Sequence, residues 1–288
     1  MIIVRMRGGL GNQLFIYAFS LFLQFLTGDA EMAFDVREYK KYRIRSFELT
    51  SILKTNIMFY NKKSLKYDFT RGLFHIKQHF SKNNYLPISK SLCKRGLFYS
   101  GRNGFDFTAF KKKHCFIYGY FQDVRMVNAI KENLLDRLNI SVTNNYEISD
   151  WKETICISVR AGKDYSDQGW RICSSNYYVN AIKEIMDEKH KNNPTIIVFS
   201  DEIQFAKKML SSFNPIFVEN MSPVEQLKMM TLCEDYVISN SSFAWWGAYL
   251  GKKPDSIIIM PDEWYPGEKT EDTLLTFQGV RIRNANGF

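Results

Sequence analysis

The stretch TIIVFSDEIQFAKKMLSSFNPIFVENMSPVEQLKMMTLCEDYVISNSSFAWWGAYL, residues 195–250, decides the fold. Short apolar runs, Thr195–Ser200, Ile216–Val218 and Asp235–Ser239, alternate with longer amphipathic ones, Glu202–Leu210, Pro223–Cys233 and Phe243–Leu250. Strand-length runs separated by helix-length segments predict βαβ units and a parallel sheet. Ser222-Pro223 followed by Glu225 marks a helix start. Serine can cap the free N–H groups of a first turn, and proline fits a position whose N–H has no partner anyway.

The pattern extends in both directions. Ile155–Arg160 reads as a strand and Ser175–Lys189 as a helix. Asn193-Pro194 turns the chain before the quoted stretch, and Ser256–Met260 follows it as another strand. The first half opens on a strand, Ile2–Met6. A Gly-rich turn leads into a helix from about Asn12 to Phe25, and a second strand is expected at Glu31–Asp35. A further amphipathic helix is expected over Asp123–Leu138. Tyr39 to Arg102, rich in Lys, Phe and Tyr, shows little period. The polar segment Ile140–Asp150 reads as a linker. Two α/β domains are therefore expected, residues 1–145 and 150–288, and a chain of 288 residues is long enough for both.

Composition narrows the function classes. Apolar residues make up 45% of the chain, so a full core is expected rather than disorder. No uninterrupted apolar run reaches the length of a membrane span. Arg5 and Arg7 ahead of the apolar Leu14–Leu26 resemble a secretory signal, but the strand at Ile2–Val4 and the polar loop Gly8–Gln13 argue against it. Five widely spaced cysteines without a CxxC give no disulfide framework or zinc knuckle, and suit a reducing cytoplasm. Residues 1–150 hold 24 Lys and Arg against 12 Asp and Glu, so an anionic partner is expected for this half. No nucleic-acid motif accompanies that charge. An anionic membrane surface, or a lipid-diphosphate acceptor on one, fits it, as do solvated surface lysines such as Lys111–Lys113.

Three blocks could carry chemistry. RGGLGNQLF, Arg7–Phe15, sits between a strand and a helix, where backbone N–H groups attract anions or sugar oxygens. Gly9-Leu10-Gly11 with Asp35 also matches the start of a dinucleotide fingerprint, but Leu14 stands where the third glycine belongs. ISVRAGKDY, Ile157–Tyr165, puts Arg160 at the carboxyl end of a strand, where its planar guanidinium suits a diphosphate or a brace to Asp164. ISNSSFAWWGAYLG, Ile238–Gly251, places Ser239, Ser241 and Ser242 before a helix whose start can hold phosphate. Its Trp245-Trp246 pair reads as core or as a sugar platform.

In this order the blocks resemble the α-1,2-fucosyltransferase family, glycosyltransferase family 11. That family carries GGLGNQxFQYA, here Gly8–Ala18, and GYxQ, here Gly119–Gln122. Its HxRRGDY block is Ser158–Tyr165, its FSDD is Phe199–Glu202, and its NSSFSWWGA is Asn240–Ala248. A late proline and tryptophan, Pro261 and Trp264, also fit. The resemblance runs from residue 1 to about 265. Ser158 replaces the family histidine, Ala161 replaces its second arginine, and Lys163 is inserted before Asp164. The distantly similar protein O-fucosyltransferases also lack the second arginine and carry a residue between Gly and Asp.

The resemblance implies a GT-B fold, an α/β architecture of two Rossmann-like domains facing a central cleft. The last twenty or so residues would pack back on the first domain. GDP-fucose would sit on the second domain, against Ser158, Arg160, Asp201, Ser241, Ser242 and Phe243. Asp201 would meet guanine N–H groups or cap a helix. Gly11, Asn12, Gln13 and Gln122 would serve the acceptor or the cleft. Arg160, Asp164 and Asn12 are the implied catalytic residues, with Asp164 leading Glu48 and Asp35 as general base. The reaction would be a single inverting displacement onto a galactose hydroxyl, in bacterial O-antigen synthesis at the cytoplasmic face of the inner membrane. No metal or other cofactor is expected, since the chain has no Asp-x-Asp to grip a diphosphate-bound cation. His75, His79, His114 and His190 are scattered. A GT-B transferase of another sugar or linkage, or a glycan-binding module without turnover, would share much of this pattern.

Overall fold

The computed structural model describes residues 1–28, 30–40, 45–62, 69, 97–99, 115–141 and 148–287. The chain divides into two compact units, Met1–Asn139 and Ile140–Phe288. Each is organised around its own parallel sheet.

The first unit contains β1 (Ile2–Arg5), α1 (Leu10–Thr27), β2 (Met32–Asp35), β3 (Leu97–Tyr99) and β4 (Cys115–Tyr118). The strands lie in the order β2-β1-β4-β3, with Ile2 opposite both Met32 and Cys115. Every residue of β1 is buried, as expected of an inner strand covered on both faces. α1 is as long and apolar as a membrane span, but 67% of it is buried inside the unit, the packing of a core helix. It stops at Gly28, whose φ of 67° is left-handed and costs glycine little.

The single helix expected over Asp123–Leu138 is two, α2 (Val124–Ala129) and α3 (Lys131–Arg137). The break is Ile130, at φ −120° and ψ 17°. Its N–H bonds back to Val127 instead of four residues back, and its side chain is buried. A β-branched residue leaves helical geometry cheaply when that lets it fill the core. The uneven Tyr39–Arg102 segment lies largely outside the described residues, as do residues 142–147 of the polar linker.

The second unit carries β5 (Thr154–Val159), α4 (Lys163–Ser166), α5 (Ser175–Glu188), β6 (Thr195–Ser200), α6 (Ile203–Leu210) and β7 (Ile216–Phe217). α7 (Pro223–Met230), β8 (Asp235–Ile238), α8 (Ser242–Gly251), β9 (Ile258–Pro261), the hairpin β10 (Glu263–Tyr265) and β11 (Glu268–Lys269), and β12 (Val280–Arg283) complete it. The six-stranded parallel sheet runs β12-β9-β8-β5-β6-β7. Ile155, Ile157 and Val159 of β5 pack with Tyr177, Tyr178 and Ile182 of α5, joined by Val198 and Val237. The Ser222 start signal is a full capping box: its hydroxyl takes the Glu225 N–H while the Glu225 carboxylate takes the Ser222 N–H.

Near the chain's end, Val280–Arg283 extend the second sheet. They pair with Ile258–Pro261 as the outermost strand of the second sheet. Arg281 and Arg283 clamp Glu184 of α5 at 3.1 and 2.7 Å, so the charges anchor an edge strand. Lys163–Ser166 form a single helical turn.

Candidate functional site

In the second sheet the chain leaves β5 toward β6 and β7, then crosses back to β8, β9 and β12. The direction reverses between β5 and β8. In a doubly wound sheet the loops leaving such neighbours at their carboxyl ends part and open a crevice for ligands. Arg160 follows β5, Asp201 follows β6, and Ser239–Ser242 follow β8.

Arg160 is held from two sides. One guanidinium nitrogen reaches Asp164 Oδ2 at 2.8 Å and another contacts Asp201 Oδ2. Asp201 also accepts the N–H groups of Ala161 and Gly162, each at 3.0 Å. Gly162 leaves room for this arrangement: a Cβ there would crowd the Asp201 and Asp164 carboxylates and push them aside. Asp201 therefore does not cap α6, whose preceding turn is closed by the Ser200 hydroxyl. The guanidinium side chain is 17% exposed, so it faces solvent on part of its surface.

Tyr165 joins the two loops that flank the switch point. Its hydroxyl donates to the Asn240 carbonyl at 2.7 Å, and its ring lies 5.1 Å from the Arg160 guanidinium carbon. Burial pushes its phenol well up, so it remains a donor. Trp170 stacks on it at 5.0 Å. Beyond Asn240, α8 begins with no side-chain cap at Ser241. The first-turn N–H groups at Ser242 and Phe243 point out of the helix start, where anions bind. Ser239 Oγ and Asn240 Oδ1 are buried without a hydrogen-bond partner. Buried polar atoms of that kind are costly unless a ligand or water meets them. The Trp245-Trp246 pair, by contrast, is core: both are fully buried, and Trp245 Nε1 donates to Leu275 at 2.7 Å. Ser158 is also buried, within β5 and not in the loop.

In the first unit the Gly-rich block separates into two roles. Gln13 was expected in the cleft, but it is fully buried and completely satisfied. Its Nε2 donates to Gly8 and Ser46 carbonyls at 2.9 and 2.8 Å. Its Oε1 accepts from Glu48 and Leu49 N–H groups, both at 2.9 Å. It ties the loop to residues 46–49 and has nothing left for a ligand. Gly11 is buried in the first turn of α1. Asn12 is half-buried and accepts from Gln122 Nε2 at 2.8 Å, so these two expected site residues do come together. Gly8, at φ +73°, lies against Asn12; a Cβ there would stand 2.6 Å from Nδ2.

The candidate bases differ in setting. Asp35 is fully buried. Burial would raise its pKa, but Arg37, at 2.8 and 2.7 Å, more than offsets that and holds it low. A carboxylate so occupied is a poor base. Glu48 is half-buried, and burial pushes its pKa up despite the Ser46 hydroxyl at 3.1 Å. Asp164 is committed to Arg160.

Sequence reasoning did not anticipate the setting of Arg7, the first residue of the Gly-rich block. It sits over the rings of Tyr118 and Tyr120, at 4.8 and 4.6 Å, and donates to the Tyr118 hydroxyl. Its place directly before Gly8-Gly9, and the tyrosine in the Gly119–Gln122 block, were the available signals.

Residues 1–276 match the family described as Glycosyl transferase family 11. The chain is 26% identical over 298 residues to the Escherichia coli O-antigen biosynthesis glycosyltransferase WbnK, covering 90% of this chain and 93% of that protein. It is 25% identical over 283 residues to an Escherichia coli alpha-1,2-colitosyltransferase, covering 93% of each. Among solved structures, fucosyltransferase NodZ from Bradyrhizobium superposes with a TM-score of 0.56 at 14% identity, over 93% of this chain and 97% of that one. That likeness is one of fold, and the fold is GT-B, as the sequence blocks imply.

Proposed function

Because the chain belongs to glycosyl transferase family 11 and is a glycosyltransferase, we propose that it moves L-fucose from GDP-fucose to a galactose hydroxyl, with inversion, forming an α-1,2 linkage in O-antigen assembly. The observation that carries this reading is the carboxyl edge of the second sheet. There Arg160 and the uncapped start of α8 flank the switch point, joined by Tyr165. A nucleotide diphosphate gains negative charge as the sugar bond breaks. Fixed donors aimed at it lower the barrier.

In this reading Arg160 meets the diphosphate, and Asp164 and Asp201 position it. Ser241, Ser242 and the Phe243 N–H supply further donors. Asn12, set by Gln122, orients the acceptor. Glu48, with its raised pKa and partly open carboxylate, takes the acceptor proton in place of Asp164. The basic first half brings the enzyme to an anionic membrane surface. That contact should weaken on anionic vesicles as salt rises, and salt-insensitive binding to neutral vesicles would refute it.

The relative named for colitose transfer supports a second sugar, since colitose is a deoxy relative of fucose. The test is incubation of the purified enzyme with a panel of nucleotide sugars, fucose and colitose donors included, and β-galactosides. Excess EDTA is present throughout, and product linkage is read by NMR. Transfer of fucose to the 2-hydroxyl supports the proposal. Transfer from another nucleotide, to another hydroxyl, or only after manganese is restored overturns it.

A further inference from the structure

The donor edge of the second unit has an electrostatic problem. Its loops carry Arg160, Lys163 and Arg171 after β5, against Asp164, Asp167, Asp201, Glu202, Asp262 and Glu263 after β5, β6 and β9. Arg160 is shared between two carboxylates. Arg171 faces Asp262 and Glu263 at 3.5 and 3.6 Å. Neither arginine presents an uncompensated charge. A diphosphate arriving at this edge meets a corner that is already neutral or negative.

Lys163 is the exception. It is exposed, and among the described residues it is the cation of this edge without an ion pair. It follows Gly162, the residue around which Arg160, Asp164 and Asp201 converge. Its backbone is fixed, because its carbonyl accepts the Asp167 N–H at 2.9 Å and closes the single turn of α4. A long, flexible ammonium on an anchored backbone can reach an arriving anion at little cost to the fold.

We propose that Lys163 is the second cation of the donor site: its ammonium meets the diphosphate of the nucleotide sugar and adds positive charge to that of Arg160, which is shared between Asp164 and Asp201. The inference rests on the donor reading above. It assigns a role to the residue inserted in this chain's ISVRAGKDY block, where Ala161 carries no charge of its own.

Calorimetric titrations of the full-length protein with GDP and with guanosine test it, using wild type, Lys163→Gln and Lys163→Arg. Lys163→Gln should weaken GDP binding about tenfold, the typical scale of one charge-assisted contact. Guanosine binding should be unchanged, and Lys163→Arg should stay within about twofold of wild type, since charge and not geometry is required of this position. The salt dependence of GDP binding should become shallower in Lys163→Gln alone. Lys207→Gln, remote on α6 and paired with Glu219, is the control and should match wild type. Thermal melts of all variants should coincide, because the side chain is exposed. Unchanged GDP affinity in a folded Lys163→Gln overturns the inference and leaves the donor reading standing. Equal weakening of GDP and guanosine also overturns it, since the effect would then not be on phosphate. If wild type binds a different nucleoside diphosphate, the choice of GDP fails, and the same comparison with that ligand decides Lys163. If it binds none, both fall.

Discussion

The two glycine-containing loops of this protein are braced in opposite ways. In the first unit, Gln13 fixes the loop from inside, with four neutral hydrogen bonds and no exposed surface. In the second, Asp201 fixes the loop at Arg160–Gly162 through two backbone N–H groups and an ion pair, with all the charged groups partly open to water. The first brace has nothing to exchange with a ligand. The second is made of groups whose partners an anion can replace. A buried neutral brace sets shape, whereas an exposed charged one keeps a binding site in working order until something binds.

That contrast breaks first at Arg160. Removing one fixed electrostatic contact to a leaving group costs about 100- to 1000-fold in turnover. Arg160→Ala should lose that much in kcat, and Arg160→Lys should recover little because it lacks the planar fork. Thermal melts should barely move. A folded Arg160→Ala that kept a third of wild-type turnover would place the diphosphate elsewhere.

Gln13→Ala should behave in the reverse manner. It leaves the Glu48 and Leu49 N–H groups without their acceptor and frees the Ser46 carbonyl, while the Gly8 carbonyl keeps the Tyr39 hydroxyl, and the loss costs about 3 kcal/mol. A large drop in melting temperature is expected, with residual activity falling only as folded protein is lost. Normal stability with collapsed turnover would mean that Gln13 acts on substrate after all.

Glu48 stands between the two cases, because the Gln13 brace holds its N–H while its carboxylate stays partly open. A base works only when deprotonated, and burial has raised this pKa. The acid limb of kcat/KM should therefore lie above the ordinary carboxylate range. Glu48→Gln should lower the rate about 100-fold and abolish that limb. A pH profile that Glu48→Gln leaves in place would return the role to Asp164.

The smallest effect concerns the charged anchor of β12. Burial would raise the Glu184 pKa, but hydrogen bonds from Arg283 and Arg281 outweigh it and hold it low. A carboxyl whose folded pKa lies below its unfolded value stabilises the protein above the unfolded pKa, and that stability is lost as pH falls through the folded one. Glu184→Gln should therefore cost about 1 kcal/mol at neutral pH, a partly exposed network being screened by solvent. The difference from wild type should close in acid. A gap that persists below the carboxylate range would show that packing, not charge, holds the strand.

What the sequence revealed follows from how far apart the interacting residues lie. The alternation of Thr195–Leu250 is local, and the parallel sheet could be read from it directly. The pairing of Arg160 with Asp164 is four residues long and was open to view as an alternative. Gln13 looked like a cleft residue because its partners, at 46–49, are more than thirty residues away and carry no pattern that points to it. Arg7 and Tyr118 lie 111 positions apart. Val280–Arg283 alternates charge with aliphatic residues. Only the glutamates on α5 turn that pattern into an edge strand instead of a solvated tail.

The central claim is that the donor nucleotide binds where the second sheet reverses direction. Hydrogen-exchange mass spectrometry of the wild-type protein, with and without saturating GDP, measures this by location. Protection should rise in two separate segments, residues 160–166 after β5 and 239–245 at the start of α8, and stay flat at 188–191 and 253–257 at the opposite edge of the same sheet. Protection confined to the opposite edge or to the first unit, with 160–166 and 239–245 unchanged, would contradict the account.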